Sequence, residues 1–141
     1  MIRLLLDTDV LSQLMRGKNA RVASQLAAHF ADRDRIAICS ITVIEVVAGF
    51  QARGHTARLH RFLNRLDDMD VWPIDTPTAV LGGQIIAELQ RRGTPIGWAD
   101  PLIAAVAIRH ELTLLTGNAR HYARIREIGQ PLQFENWSAQ R

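Results

Sequence analysis

The stretch Ile2-Arg3-Leu4-Leu5-Leu6-Asp7-Thr8-Asp9 decides how the chain is read. Its apolar run is short, does not alternate with polar residues, and stops abruptly at Asp-Thr-Asp. A run of that kind is a strand buried on both faces, as in a parallel sheet covered by helices. Working outward, similar short apolar segments recur at residues 35–39, 71–74 and 112–116, with a fifth candidate at 131–134. Pro73 cannot donate to a ladder, so the third strand belongs near a sheet edge.

Helices fill the intervals. Residues 9–16 read as a helix stopped by Gly17. Asn19 can cap a second helix, 19–31, with Val22, Leu26 and Phe30 along one face. Residues 41–51 and 56–66 are two more, the latter ended by Asp67-Asp68-Met69-Asp70. Thr76-Pro77 opens a helix that Gly93 stops, with Thr76 as cap and Pro77 in the first helical position. Asp100-Pro101 repeats that opening for residues 101–110. Strands alternating with helices predict a single α/β domain over residues 1–141, with a mainly parallel central sheet and helices on both faces, a three-layer α/β/α arrangement.

Composition is consistent with this. Apolar residues make up 48% and charged residues 22% of the 141, ordinary proportions for a folded globule. The one cysteine, Cys39, permits no internal disulfide and is expected as a buried, inert thiol, which fits a reducing cytoplasm. The opening residues reach Asp7 before a signal-length apolar segment forms, and no stretch is long enough to span a membrane. A cytoplasmic location is therefore expected. The net charge is +3, and Lys18 is the sole lysine. Arginine's planar fork matches phosphate oxygens in pairs, which is compatible with a nucleic-acid partner; on composition alone, arginine-favouring codon usage is the better account.

Four polar residues fall at or near the carboxyl ends of strands, where open parallel sheets build their sites. Asp7 follows the first strand and Asn118 the fourth, Glu45 lies early in the helix after the second, and Asp100 opens the helix leading into the fourth. In its helix Glu45 shares a face with Ile41, Ile44 and Ala48, so it is expected on an apolar face. There a carboxylate must pair with a cation, take a proton, or line a cleft. Asp100 reads either as a helix cap or as a functional acid. Asp7 has no structural task if Thr8 or Asp9 caps the first helix. Carboxylates gathered together repel, and a hard divalent cation, Mg²⁺ or Mn²⁺, relieves the repulsion. The five histidines show no zinc spacing, and His55 and His60 are expected at the surface.

The same residues resemble the motifs of PIN-domain ribonucleases of the VapC toxin type. Leu4-Leu5-Leu6-Asp7-Thr8-Asp9-Val10-Leu11 is similar to their opening motif and Ser40-Ile41-Thr42-Val43-Ile44-Glu45 to their second. Ile96-Gly97-Trp98-Ala99-Asp100-Pro101-Leu102-Ile103-Ala104-Ala105 is similar to the third and is the most specific. Leu114-Leu115-Thr116-Gly117-Asn118 with Tyr122 is similar to the fourth, and Phe134-Glu135-Asn136-Trp137 to the closing strand. The resemblance spans the chain in order. It implies a PIN-like fold and a metal-dependent endoribonuclease, the toxin of a toxin–antitoxin pair. Asp7, Glu45 and Asp100 would hold Mg²⁺ or Mn²⁺, an ion-activated water would attack the RNA phosphodiester, and Thr8 and Thr116 would orient the ligands. It further implies a homodimer and a VapB-type antitoxin that blocks the cleft. Asn118 departs from the acid that many members carry. Being neutral, it cannot act as a general base; it would position water or assist through its carbonyl, which favours one ion over two. Asp9 would be a local structural residue. Arg53, Arg58, Arg61 and Arg65, with Arg91 and Arg92, would supply a basic groove unless they are solvated helix faces.

Two rivals remain to be weighed. A phosphatase of the haloacid-dehalogenase type shares the Asp-Thr-Asp after a strand but needs a downstream lysine, and Lys18 lies in the first helical region. A PIN-like module that binds RNA or a partner without cutting would be supported by Asn118 alone and opposed by Asp7, Glu45 and Asp100.

Overall fold

A computed structural model describes residues 3–17, 20–29 and 35–137. Its strands are β1 (Leu4–Leu6), β2 (Ala37–Cys39), β3 (Asp70–Trp72), β4 (Thr113–Leu115) and β5 (Phe134–Glu135). Its helices are α1 (Thr8–Arg16), α2 (Ala20–His29), α3 (Ser40–Ala52), α4 (Thr56–Arg65), α5 (Thr76–Arg91), α6 (Ala99–Arg109) and α7 (Ala119–Glu127), with a 3₁₀ turn at Leu66–Asp68. All strand pairs are parallel, in the order β3-β2-β1-β4-β5. The edge position expected for the strand beside Pro73 is observed.

The two-sided burial read from the apolar runs is visible residue by residue. Leu5, Ala37, Cys39 and Leu114 join one core with residues of α5, α6 and α7, including Ile85, Leu89, Ile103 and Ile125. Leu4, Leu6, Ile38 and Leu115 join a second core with Val10, Leu11, Val22, Leu26, Val46 and Phe62, from α1 to α4. Alternate residues of one strand thus feed opposite layers, and three layers result. Cys39 is buried and free, and burial pushes its thiol pKa up. Among the described residues no helix is long and apolar enough to cross a membrane.

Helix ends depart from expectation at informative places. Gly17 does close α1, with φ +64° and its N–H on Gln13 and Leu14 carbonyls. The proposed Asn19 cap and Phe30 lie outside the described residues. α5 is capped by Asp75, whose carboxylate accepts from Thr78 N at 3.0 Å, so Thr76 is the first helical residue and not the cap. Asp75 presents a charged acceptor one residue earlier than the hydroxyl, and Pro77 is tolerated one place further in. α6 begins at Ala99 behind Trp98, so Asp100 lies inside the first turn and makes no cap hydrogen bond. α7 has no counterpart in the sequence reading: Ala119–Glu127 is largely polar and buries only Tyr122 and Ile125, three apart on one face.

α5 and α6 pack closely at Gly82, where a Cβ would stand 2.5 Å from Leu102 Cδ2. That contact seats α6, the helix that carries Asp100, against α5.

Candidate metal centre

Strand order places the site. The chain runs from β1 outward through β2 to β3, then returns to lay β4 on the other side of β1. Loops leaving β1 and β4 therefore diverge, and a crevice opens at their carboxyl ends. Asp7 is the residue after β1, and Thr116 the residue after β4. Asp7 N donates to Leu115 O at 2.9 Å, so the ladder between the strands continues into the site.

Asp7 is 4% exposed and is held from two sides. Thr116 Oγ1 donates to Oδ2 at 2.8 Å and Thr8 N donates to Oδ1 at 2.8 Å. Asp7 is also the α1 cap, which corrects the expectation that it has no structural task. Burial, then the charge of Asp9, pushes its pKa up to about 7; Asp100 adds to the rise, against the pull of the Thr116 and Thr8 bonds. Asp9 is raised too, first by burial. Asp9 Oδ2 accepts from Gly117 N at 3.1 Å, tying α1 to the loop after β4. Its structural role is thus visible, and so is its membership of the acidic cluster.

Glu45 does not sit as expected. It is exposed, as is Ile44 at 62%, while Thr42 and Val46 form the buried side of α3. The supposed apolar face with Ile41, Ile44 and Ala48 is therefore not the packed one. α3 carries apolar residues nearly all round, so spacing alone does not select its inward side. Glu45 nevertheless reaches the site: Thr8 Oγ1 donates to Oε1 at 2.6 Å. The Thr8 hydroxyl has one proton to give, so the Thr42 hydroxyl, 3.0 Å away, serves as its donor.

Asp100 reaches the crevice from α6, and Asp100 Oδ2 lies 2.7 Å from His121 Nδ1. Asn118 stands before α7 as its N-terminal flanking residue; its N–H donates to Thr116 Oγ1 at 2.8 Å and its amide lies 2.9 Å from His121 Nδ1. Beside them the Tyr122 hydroxyl is fully buried and interacts with both Asp7 and Asp100, without a hydrogen bond of ordinary geometry among the described residues. Burial first, then these two carboxylates, drives its pKa well upward.

The donor set fits a hard divalent ion. It consists of carboxylate oxygens, one of them driven toward protonation by burial and then by its neighbours' charge, with the buried Tyr122 hydroxyl beside them. Among the described residues no three His, Cys, Asp or Glu side chains stand close enough to enclose an ion. Sequence reasoning passed over His121 and read Asp9 as a local structural residue only, outside the acidic cluster it joins. The signal for His121 was its place three residues after Asn118, in the first turn of a helix opening at a strand's carboxyl end.

A family model for the PIN domain matches residues 4–128. The chain belongs to the PIN-domain family. Within it, the chain groups with the VapC proteins. It is 31% identical to a tRNA(fMet)-specific endonuclease VapC of Salmonella typhimurium, over 97% of this chain and 99% of that one. It is 30% identical to the protein of the same name from Shigella flexneri, over 98% and 100%. Among solved structures, the DNA-bound VapBC of Salmonella typhimurium superposes with a TM-score of 0.80 at 29% identity, covering 97% and 99% of the two chains. FitAcB from Neisseria gonorrhoeae gives 0.77 at 26% identity, covering 97% and 99%.

A cavity of about 760 Å³ adjoins Thr8 and Glu45 in this VapC-like PIN domain. Arg16, Arg53, Arg58, Arg61 and Arg65 line it, over Met15, Val46, Phe50 and Phe62. Arg91 and Arg92, grouped with them in the sequence reading, are elsewhere: both pair with Glu88 on α5, at 2.9 and 3.0 Å. His55 and His60 are exposed, as expected, and His55 lies at the cavity wall.

Proposed function

We propose that this chain is a divalent-metal-dependent endoribonuclease and the toxin of a toxin–antitoxin pair. The observation that supports the reading is the crevice between β1 and β4, where burial first, then the charge of Asp9 and to a smaller degree that of Asp100, push Asp7 up to about 7. Asp7, Glu45 and Asp100 are the residues that would hold Mg²⁺ or Mn²⁺. An ion bound there activates water at neutral pH and neutralises charge on a phosphoryl group. The chain's own groups prepare that site. Thr116 and the Thr8 N–H fix Asp7, the Thr8 hydroxyl fixes Glu45, and the arginine-lined cavity beside Glu45 would receive RNA phosphates. Asn118 carries no charge and would orient water or substrate through its amide.

The relatives crystallised as VapBC complexes support an antitoxin of the VapB type as partner. A homodimer and a cytoplasmic location complete the proposal. A second reading, a PIN domain that binds RNA or a partner without cutting, draws on the neutral Asn118. Purified protein mixed with labelled RNA separates the two. Cleavage dependent on Mg²⁺ or Mn²⁺, and reduced roughly 100-fold or more by Asp100→Asn with little change in Tm, is expected. Binding without cleavage under either metal would leave the non-cutting module.

A further inference from the structure

We propose that His121 is a positioning residue for the acidic centre, holding Asp100 Oδ2 through its Nδ1–H and leaving Oδ1 as the oxygen available to an ion. His121 Nδ1 lies 2.7 Å from Asp100 Oδ2 and 2.9 Å from the Asn118 amide nitrogen. One ring nitrogen cannot be donor and acceptor at once. The carboxylate is the stronger acceptor and takes the proton. The Asn118 amide then fits with its oxygen toward the ring, since its two ends have the same shape. The consequence is a proton fixed on Nδ1, which makes Nδ1–H the tautomer of the neutral ring.

Asp100 needs such a partner. It lies inside the first turn of α6, where its one hydrogen bond of ordinary geometry among the described residues is to His121. Asp7 has Thr116 and Thr8 N, and Glu45 has Thr8. His121 is Asp100's counterpart to those, delivered by the first turn of α7. A carboxylate that swings freely loses orientation when an ion must be bound, and removing such an outer partner typically costs 10–100-fold in metal affinity.

This inference rests on the metal-centre reading, and two measurements on the full chain keep their failures apart. The first needs no metal: nitrogen NMR of His121 at alkaline pH is expected to show the Nδ1–H tautomer, and an Nε2–H tautomer would overturn the proposal. The second is calorimetric titration with Mn²⁺ alone. His121→Ala and His121→Phe are each expected to weaken binding about tenfold or more, with the metal-free melting temperature close to that of the parent. His121→Asn, whose amide N–H stands near the place of Nδ1–H, is expected to restore most of it. Parent-like affinity in the Ala and Phe variants, or no rescue by Asn, overturns the positioning role. A parent protein that binds no Mn²⁺ removes the metal centre itself, and the positioning role with it.

Discussion

Asp7 carries two duties that pull against each other. It caps α1, and it sits buried beside two other acids. Its folded pKa of about 7 lies above the unfolded value of 3.8, so the folded state prefers the protonated form. The stability this gives is complete below about pH 4 and is lost as pH rises toward 7. Asp7→Asn keeps the shape and much of the capping while removing the charge. In metal-free buffer the variant is expected to exceed the parent by on the order of 1–3 kcal/mol at pH 8 and to match it near pH 4. Chemical denaturation at the two pH values measures the difference; a gap of the same size at both would show that charge is not the cause. Added Mn²⁺ should stabilise the parent and leave the variant unmoved.

At the scale of elements, α6 is placed by its contact with α5. Gly82 leaves 2.5 Å between a notional Cβ and Leu102 Cδ2, so Gly82→Val must displace Leu102. A loss of about 1–3 kcal/mol is expected, together with weaker Mn²⁺ binding as Asp100 moves with its helix. Unchanged melting and binding would mean that the two helices tolerate separation. Much of the architecture was legible at this scale. The short non-alternating runs announced the strands, and Gly17 marked a true helix stop. What failed has physical causes. α3 is apolar on nearly every side, so no periodicity could tell that Thr42 and Val46 face inward and Glu45 outward. α7 is the opposite case, too polar for an apolar stripe, anchored by Tyr122 and Ile125 alone. Missing α7 also meant missing His121. Asp7, Asp100 and Asn118 were legible because strand ends in a parallel sheet converge; their hydrogen-bond partners depend on helix starts, which sequence locates poorly.

For the whole molecule, charge is distributed unevenly. Five arginines line one cavity beside Glu45, while Arg91 and Arg92 are occupied by Glu88. If the cavity receives RNA phosphates, binding must weaken with salt as counterions are displaced. Measured on Asp100→Asn protein to suppress cutting, replacing Arg53, Arg58 and Arg61 by Ala should flatten the slope of log affinity against log salt by about 2 for single-stranded RNA. Replacing Arg91 and Arg92 should leave it nearly unchanged. An equal effect from the second pair would place the RNA elsewhere.

The interleaved strand order has a bearing on how such a chain is made. β1 is made before its neighbour β4, which arrives only at residues 113–115, and Thr116 and His121, which hold Asp7 Oδ2 and Asp100 Oδ2, follow it. A fragment ending before that point holds Asp7, Glu45 and Asp100 and the Thr8 groups that bond the first two, but neither the Thr116 nor the His121 contact. Synthesis of the acids and completion of the centre are thereby separated along the chain, and the late β4 segment sets when the second can happen.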